Sequence, residues 1–518
     1  MTLYAKPERS EQNNSGNSKK LCSGSRFLEP GNCRALMQLH SITSLSILPL
    51  TIVSVMFITF GYLSLFIFHD HQRNVFVVPG VQLLGLAVFL WLMTKHRPIV
   101  VKVRVAPFFA VFAWMITGLC AAIPIAEVAE VSAADAIFES FSALTTTGST
   151  ILTGLDNMPR SFLLYRQFLQ WIGGLGIVIF VVAVLPALNV GGMKLLKAEV
   201  PGPIKDDKLV SRTVNTAQYL WVVYGAITVL CAISYRIAGM DWFDAIAHSF
   251  STVSTGGFST HDDSLGYFQS ELIYIISDIF MIAGALNFAL HFHFFHSRKF
   301  STYWKNEETQ AFLIIIAALS LTVFATIYHS IDNANALQKL NHATFILISF
   351  ITSTGFGAEN FTSWPLAALF LLIISGYLGG CAGSTAGGSK IIRIVILFKL
   401  VRRETSRLIH PYGIFGIRYQ GKAVEDTVTR NTLAFIFFVI FSSVILTLLL
   451  MTTGLDLWSS ISAVSACLNV SGPAFGELSS NFIPVNDFGI GLLTFAMLLG
   501  RLEYLTILVL FLPRFWKF

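Results

Sequence analysis

Long apolar stretches alternate with short polar ones along most of the chain. The segments 45–68, 75–92, 107–125 and 435–450 carry almost no charge. A helix needs roughly 20 apolar residues to cross a bilayer core about 30 Å thick, and many segments reach or approach that length. Two of them, 43–68 and 75–95, come first and stand apart. After them one pattern recurs four times: a long apolar helix, a short amphipathic helix, a turn centred on glycine, and a second long apolar helix. The long pairs are 104–125 with 163–189, 217–238 with 271–296, 310–330 with 365–400, and 430–452 with 487–513. Between them lie DAIFESFSALTTTGST, DAIAHSFSTVSTGGF, HATFILISFITSTGFG and LWSSISAVSACLNVSGPAFG.

The turn glycines on this reading are Gly148, Gly256, Gly355 and Gly472. They recur at a spacing of roughly 100 residues, and internal symmetry of that kind precedes any fold assignment. The short helices cannot span, so they are predicted to re-enter. Irregular backbone at membrane depth is tolerated only inside protein or along a wet cavity, and four such turns share one cavity most economically. The expected fold is an all-α membrane protein with four parallel helix–pore loop–helix repeats around a central pore. Two extra N-terminal transmembrane helices precede the repeats, for about ten spans in all. The boundaries run 1–40 for an N-terminal tail, 41–100 for the leading helices, 101–200, 201–305 and 306–425 for repeats one to three, and 426–518 for repeat four.

Composition agrees. Of 518 residues, 54% are hydrophobic and 12% charged, against about 25% charged in a soluble domain. The net charge is +6. Lys and Arg gather in 6–34, 95–104, 194–212, 298–305 and 390–430, with Arg514 and Lys517 at the end. The alternate connections are acidic: Glu127, Glu130, Asp135, Glu139 and Asp156, then Asp241, Asp244, Asp262 and Asp263, then Asp456, Glu477 and Asp487. The positive-inside rule places the basic set and both termini in the cytoplasm, so topology accounts for the basic excess and nucleic acid is not implied. The polar first forty residues read as a poorly ordered cytoplasmic tail. The six cysteines (22, 33, 120, 231, 381 and 467) show neither metal nor disulfide spacing and read as thiols.

Each turn sets glycine after small or hydroxyl-bearing residues: Thr146-Thr147-Gly148, Ser254-Thr255-Gly256, Ser353-Thr354-Gly355 and Val470-Ser471-Gly472. Glycine admits backbone conformations that turn carbonyls inward. A ring of carbonyls replaces the hydration shell of a potassium ion, and the negative ends of four short helices favour a cation. A single copy would pass as an ordinary glycine turn; four in matched context do not.

These motifs, with QWIGGLGI, SGYLGGCAGSTAGGSK, ACLNVSGPAFGE and MLLGRLE, resemble the Trk/Ktr/HKT superfamily of potassium transporters. The likeness is greatest to the membrane subunits of bacterial Trk potassium uptake systems, the TrkH/TrkG type, from about residue 40 to the end. The resemblance implies potassium uptake across a bacterial inner membrane by a non-enzyme whose substrate is the potassium ion. It implies no cofactor in this chain, a homodimer among membrane lipids, and gating by a cytoplasmic nucleotide-binding subunit of TrkA type. The filter departs from the longer T-V-G-Y-G signature, and its fourth turn differs most from the rest.

The glycine-rich run 376–390 interrupts an apolar helix, and each Gly weakens a helix by about 1 kcal/mol relative to Ala. A break at membrane depth is predicted there. It resembles the family's intramembrane gate, with Gly379, Gly380, Gly383, Ser384, Thr385, Gly387 and Gly388 as its residues. Two other readings are close helix packing by small residues and a phosphate loop, for which Lys390 comes one residue late and no strand precedes. Arg501 is an ionisable residue inside the last apolar helix, a costly placement that marks function. The resemblance puts it in the pore below the filter. The competing reading pairs it with Glu503, which lies two positions away on another face.

His291, His293 and His296 have offsets that scatter metal ligands around a helix, so a non-metal role is expected. His261-Asp262-Asp263 reads as a solvated outer loop, and Asp278 and Asn287 either line the vestibule or bond between helices. The basic connections 200–215 and 402–430 read as topology signals or as docking surfaces. All four repeats run parallel, which argues against an inverted-repeat transporter. Neither G-x-S-x-G nor H-E-x-x-H occurs. A proton- or sodium-coupled potassium symporter on the same scaffold remains the alternative.

Overall fold

The computed structural model describes residues 30–95, 106–179, 209–329, 335–358, 361–502 and 504–516. Helix α1 (Pro30–Leu63) ends in a π-helical turn, Ser64–Phe68, and packs along α2 (Arg73–Thr94). Residues 30–40, expected as tail, belong to α1, because Ala, Leu, Met and Gln there are good helix formers. The tail's first 29 residues lie outside the described set.

Repeat one contains α3 (Ala106–Ala129), the short α4 (Ala133–Thr145) and α5 (Arg160–Ile179). Repeat two contains α6 (Leu209–Ile237), the short α7 (Trp242–Val253), α8 (Glu271–Ala285) and α9 (Phe288–Ser297). Repeat three contains α10 (Glu307–Ile327), the short α11 (Ala336–Ile351), α12 (Leu366–Leu378) and α13 (Ile391–Ile409). A two-residue hairpin, β1 (Arg418–Tyr419) and β2 (Lys422–Ala423), leads into repeat four. There α14 (Asp426–Met451), the short α15 (Leu457–Leu468) and α16 (Asp487–Arg501) follow.

Among the described residues, six helices are long and apolar enough to cross a membrane: those within 46–68, 73–94, 108–129, 219–237, 307–327 and 426–451. They are the leading pair and the first helix of each repeat. The second helices differ from the continuous spans expected for 271–296 and 487–513. The first bends by 99° between α8 and α9, where Asn287 caps α9 by accepting the Ala289 N–H (2.8 Å) and the Phe288 N–H goes to the carbonyl of Gly383 (3.1 Å). The second stops at Arg501. The break in 365–400 falls between α12 and α13 as expected. The connection 402–430 is helix to Ile409, then hairpin, then helix again from Asp426.

The short helices start where capping residues allow. Ser132, Asp241 and Asp456 accept N–H groups of the first turn, and Asn335 forms a capping box with Gln338, which offsets donors that the helix leaves unpaired. Each short helix packs on the first helix of its own repeat and on the second helix of the repeat before it: α7 on α5, α11 on α8, α15 on α12, and α4 on α16. That last pair closes the circle. The two large clusters of buried apolar residues centre on repeats two and three and on the leading helices with repeats one and four.

Candidate functional site

The four short helices end in one shared geometry. Thr146, Thr255, Ser353 and Val470 take left-handed backbone (φ 59°, 54°, 54° and 58°). The next residues, Thr147, Gly256, Thr354 and Ser471, donate their N–H to the carbonyl five positions back: Ser142, Ser251, Ser349 and Ala466 (2.8, 2.7, 2.8 and 2.8 Å). This is the Schellman pattern, normally built on glycine. A left-handed non-glycine residue costs roughly 1–2 kcal/mol, and a β-branched one such as Val470 is a true outlier. Strain of this kind persists only where the surroundings over-determine it. The fourth turn, which differs most in sequence, has the same backbone conformation as the other three.

The third residue of each turn has positive φ: Gly148 (83°), Gly257 (77°), Gly355 (84°) and Gly472 (87°). The structure therefore corrects the register of repeat two. Its triplet is Thr255-Gly256-Gly257, and Ser254 caps α7 with ordinary right-handed backbone. Contacts between repeats fix the same register. A Cβ built on Gly148 would lie under 3.0 Å from the Gly256 carbonyl oxygen, on Gly257 from that of Thr354, on Gly355 from that of Ser471, and on Gly472 from that of Thr147. Each glycine thus closes on the middle residue of the following repeat, and the last closes on the first. Ser149 adds a bond from its hydroxyl to the Gly472 carbonyl (2.8 Å).

Above this ring lies a cavity of about 1310 Å³ lined by the same four glycines together with Arg166, His261 and Glu271, among others. Its acidic rim is less free than the sequence implied. Glu139 is fully buried and paired with Arg166. His261, expected to be solvated, is partly buried between Asp156 and Asp244 and stacks on Tyr267 at 3.5 Å. Burial lowers the His261 pKa, but the hydrogen bonds and charges of Asp244 and Asp156 outweigh it and raise the pKa above its ordinary value. Asp262 accepts the Leu155 N–H (3.2 Å).

Two glutamines that sequence reasoning missed hold the second turn. Gln170 donates to the Gly256 carbonyl (2.6 Å) and accepts the Phe258 N–H (3.2 Å), while Gln167 donates to the Phe258 carbonyl (3.1 Å). Their signal was a polar pair three apart on one face of an apolar helix.

Directly beneath the turns sits the loop between α12 and α13. Its neck is closed by the bonds Ser389 N–H to Tyr377 and Ile391 N–H to Gly380 (3.0 Å each), with Gly379 and Gly388 pressed together at positive φ. Gly380 abuts Ala386, and Ser384 turns back on the Cys381 carbonyl (2.6 Å). Gly383 takes positive φ against Asn287. Thr385 donates to the carbonyls of Val253 (3.1 Å) and Gly284 (2.9 Å). The Gly387 N–H reaches the Ser353 hydroxyl (2.5 Å), and a Cβ there would strike the Asn469 carbonyl. Arg501, only 3% exposed, donates to the carbonyls of Thr385 (2.7 Å) and Gly173 (3.2 Å). It ties the loop to repeats four and one. Glu503, its other suggested partner, lies outside the described residues.

His291 and Asn287 hydrogen-bond to neighbouring parts of the fold. His291 bridges the Tyr303 hydroxyl and the Ala283 carbonyl (2.8 Å each). Asp278 is buried in α8, and Asn287 is the α9 cap.

Residues 72–517 match the family TrkH, described as cation transport protein. The chain is 41% identical over 485 residues to the Trk system potassium uptake protein TrkH of Vibrio parahaemolyticus, covering 93% of this chain and all of that one. It is 41% identical to the Halomonas elongata protein of the same name (87% and 94% covered) and 40% to that of Escherichia coli K12 (87% and 94%). The crystal structure of the potassium transporter TrkH from Vibrio parahaemolyticus superposes with a TM-score of 0.83 at 38% identity, over 92% of this chain and all of that one.

Proposed function

Because the chain belongs to the TrkH family of cation transport proteins, we propose that it takes up potassium across a bacterial inner membrane through the ring of four turns. In this reading the filter is Thr146-Thr147-Gly148, Thr255-Gly256-Gly257, Ser353-Thr354-Gly355 and Val470-Ser471-Gly472. The observation that carries it is the ring itself: four backbone turns of one conformation, each glycine seated against a carbonyl of the next repeat. Backbone carbonyls at helix C-termini are what a dehydrated potassium ion needs. The loop 379–390 with Arg501 is the gate, since it fills the space under the ring and touches the turns of repeats two, three and four. A homodimer and a cytoplasmic nucleotide-binding subunit of TrkA type complete the proposal, with the membrane orientation set by the basic segments.

The test is potassium flux into proteoliposomes under imposed gradients. Saturable potassium uptake that prefers potassium to sodium and ignores proton and sodium gradients is the expected result. Uptake that stops without one of those gradients would replace passive conduction with symport.

Arg501→Ala is expected to raise resting flux by about tenfold or more. Hydrogen bonds from a charged donor are worth roughly 1.5–3 kcal/mol each, 1.4 kcal/mol is about a factor of ten, and two such bonds hold Thr385 and Gly173. Tracer rubidium uptake measures it, and an unaltered rate would remove Arg501 from the gate.

A further inference from the structure

Glu307 and Glu308 open α10, behind the cap Asn306, whose side chain accepts the Thr309 N–H (2.9 Å). Carboxylates at a helix N-terminus are ordinary. What these two bind is not. Glu308 is 1% exposed, and its Oε1 accepts the N–H of Ala382 (2.7 Å) and the N–H of Ile392 (3.1 Å). Those amides flank the intramembrane loop, one just inside its first arm and one just past its second. A single buried oxygen thus bridges both sides of the loop.

Glu307, beside it, faces the hairpin. It pairs with Lys399 of α13 and accepts the Gln420 N–H (2.9 Å) from the β1–β2 turn. Lys399 in turn donates to the Arg418 carbonyl (2.7 Å). A second contact ties the same parts together independently: Ala382, Ile392, Ile396, Tyr419 and Val428 form one buried apolar cluster. The hairpin, on the face that the basic segments mark as cytoplasmic, is therefore packed onto the root of the loop.

We propose that Glu308 is the positioning residue that clamps the loop beneath the four turns, and that the β1–β2 hairpin is the lever on that clamp. This rests on the reading of the loop as the gate. A buried carboxylate is tolerated only while hydrogen-bonded, and hydrogen bonds to an ionised acceptor are about twice as strong as neutral ones. The loop amides are part of Glu308's solvation, so the loop leaves its seat as a unit. Packed elements of this kind switch between discrete positions and do not deform smoothly.

Cys381 precedes Ala382 and is buried, as is Cys467 behind the fourth turn. Each is kept as the sole cysteine of the full chain in proteoliposomes, and its reaction with a maleimide is timed beside potassium flux. Glu308→Ala is expected to speed labelling of Cys381 by about tenfold or more, the loss of two charged hydrogen bonds converted to a rate, and to raise flux with it. Glu308→Gln, which keeps an acceptor oxygen, falls between, and Tyr419→Ala moves Cys381 the same way from the hairpin side. Cys467 stays protected throughout. Cys381 as protected in Glu308→Ala as in wild type overturns the clamp, whatever the flux does. Cys467 exposed together with Cys381 also overturns it, since Glu308 then merely holds the fold. Cys381 exposed with flux unchanged supports the clamp and overturns the gate.

Discussion

Gly257→Ala is expected to lower the preference for potassium over sodium by about tenfold or more, and Gly256→Ala by clearly less. Gly257 has φ +77°, where a side chain costs roughly 1–2 kcal/mol, and its Cβ would fall on the backbone carbonyl of Thr354. Backbone held by α11 has little room to give, so the ring opens between repeats two and three. Gly256 has no positive φ, and the atoms nearest its Cβ belong to the Gln170 carboxamide, which can shift at the cost of its two hydrogen bonds while the ring backbone stays in place. Bi-ionic measurements of potassium against sodium on the two variants decide the matter. A Gly256 variant damaged as badly as the Gly257 variant would overturn the register of the second turn.

The same pair of glycines shows how far sequence reaches. Four Thr/Ser/Val–x–Gly turns between apolar helices were enough for the repeat, the shared cavity and the parallel order, because hydrophobic length and glycine placement are local properties. In Ser254-Thr255-Gly256-Gly257 two registers satisfy the local pattern equally. The choice is made by the Ser251 carbonyl five positions behind Gly256 and by the Thr354 carbonyl a whole repeat away. Non-local contacts also hide the breaks in the second helices. The run 271–296 is mostly apolar, with Asp278, Asn287 and three histidines inside it, and at its 99° bend the loop's Gly383 carbonyl takes the Phe288 N–H. Glu308 goes unmarked in the sequence, since its partners lie 74 and 84 residues on. Glu139 was counted with an acidic outer face for the same reason: its cation is 27 residues downstream.

That buried pair carries the largest expected loss of stability. Glu139 on α4 is 0% exposed and Arg166 on α5 1%. Arg166 donates Nε–H to Glu139 Oε1 (3.0 Å) and also engages it through Nη2. Glu139 further accepts the Thr150 hydroxyl (3.0 Å) and the Ile151 N–H (3.2 Å), holding the segment that leaves the first turn. The guanidinium also lies 4.2 Å over the Phe258 ring in repeat two. Removing one partner leaves the other charge buried and unpaired, at a cost of roughly 3–5 kcal/mol, whereas replacing both by groups of similar volume is often neutral. Glu139→Gln is therefore expected to lower the thermal midpoint of the detergent-solubilised protein sharply and to abolish most uptake. Glu139→Gln with Arg166→Met should recover much of the midpoint while selectivity stays impaired, because the Thr150–Ile151 segment has lost its charged acceptor. The midpoints of the two single variants and the double variant form a double-mutant cycle. Losses that simply add would mean that the two side chains are not coupled, and the first turn would then owe its position to packing alone.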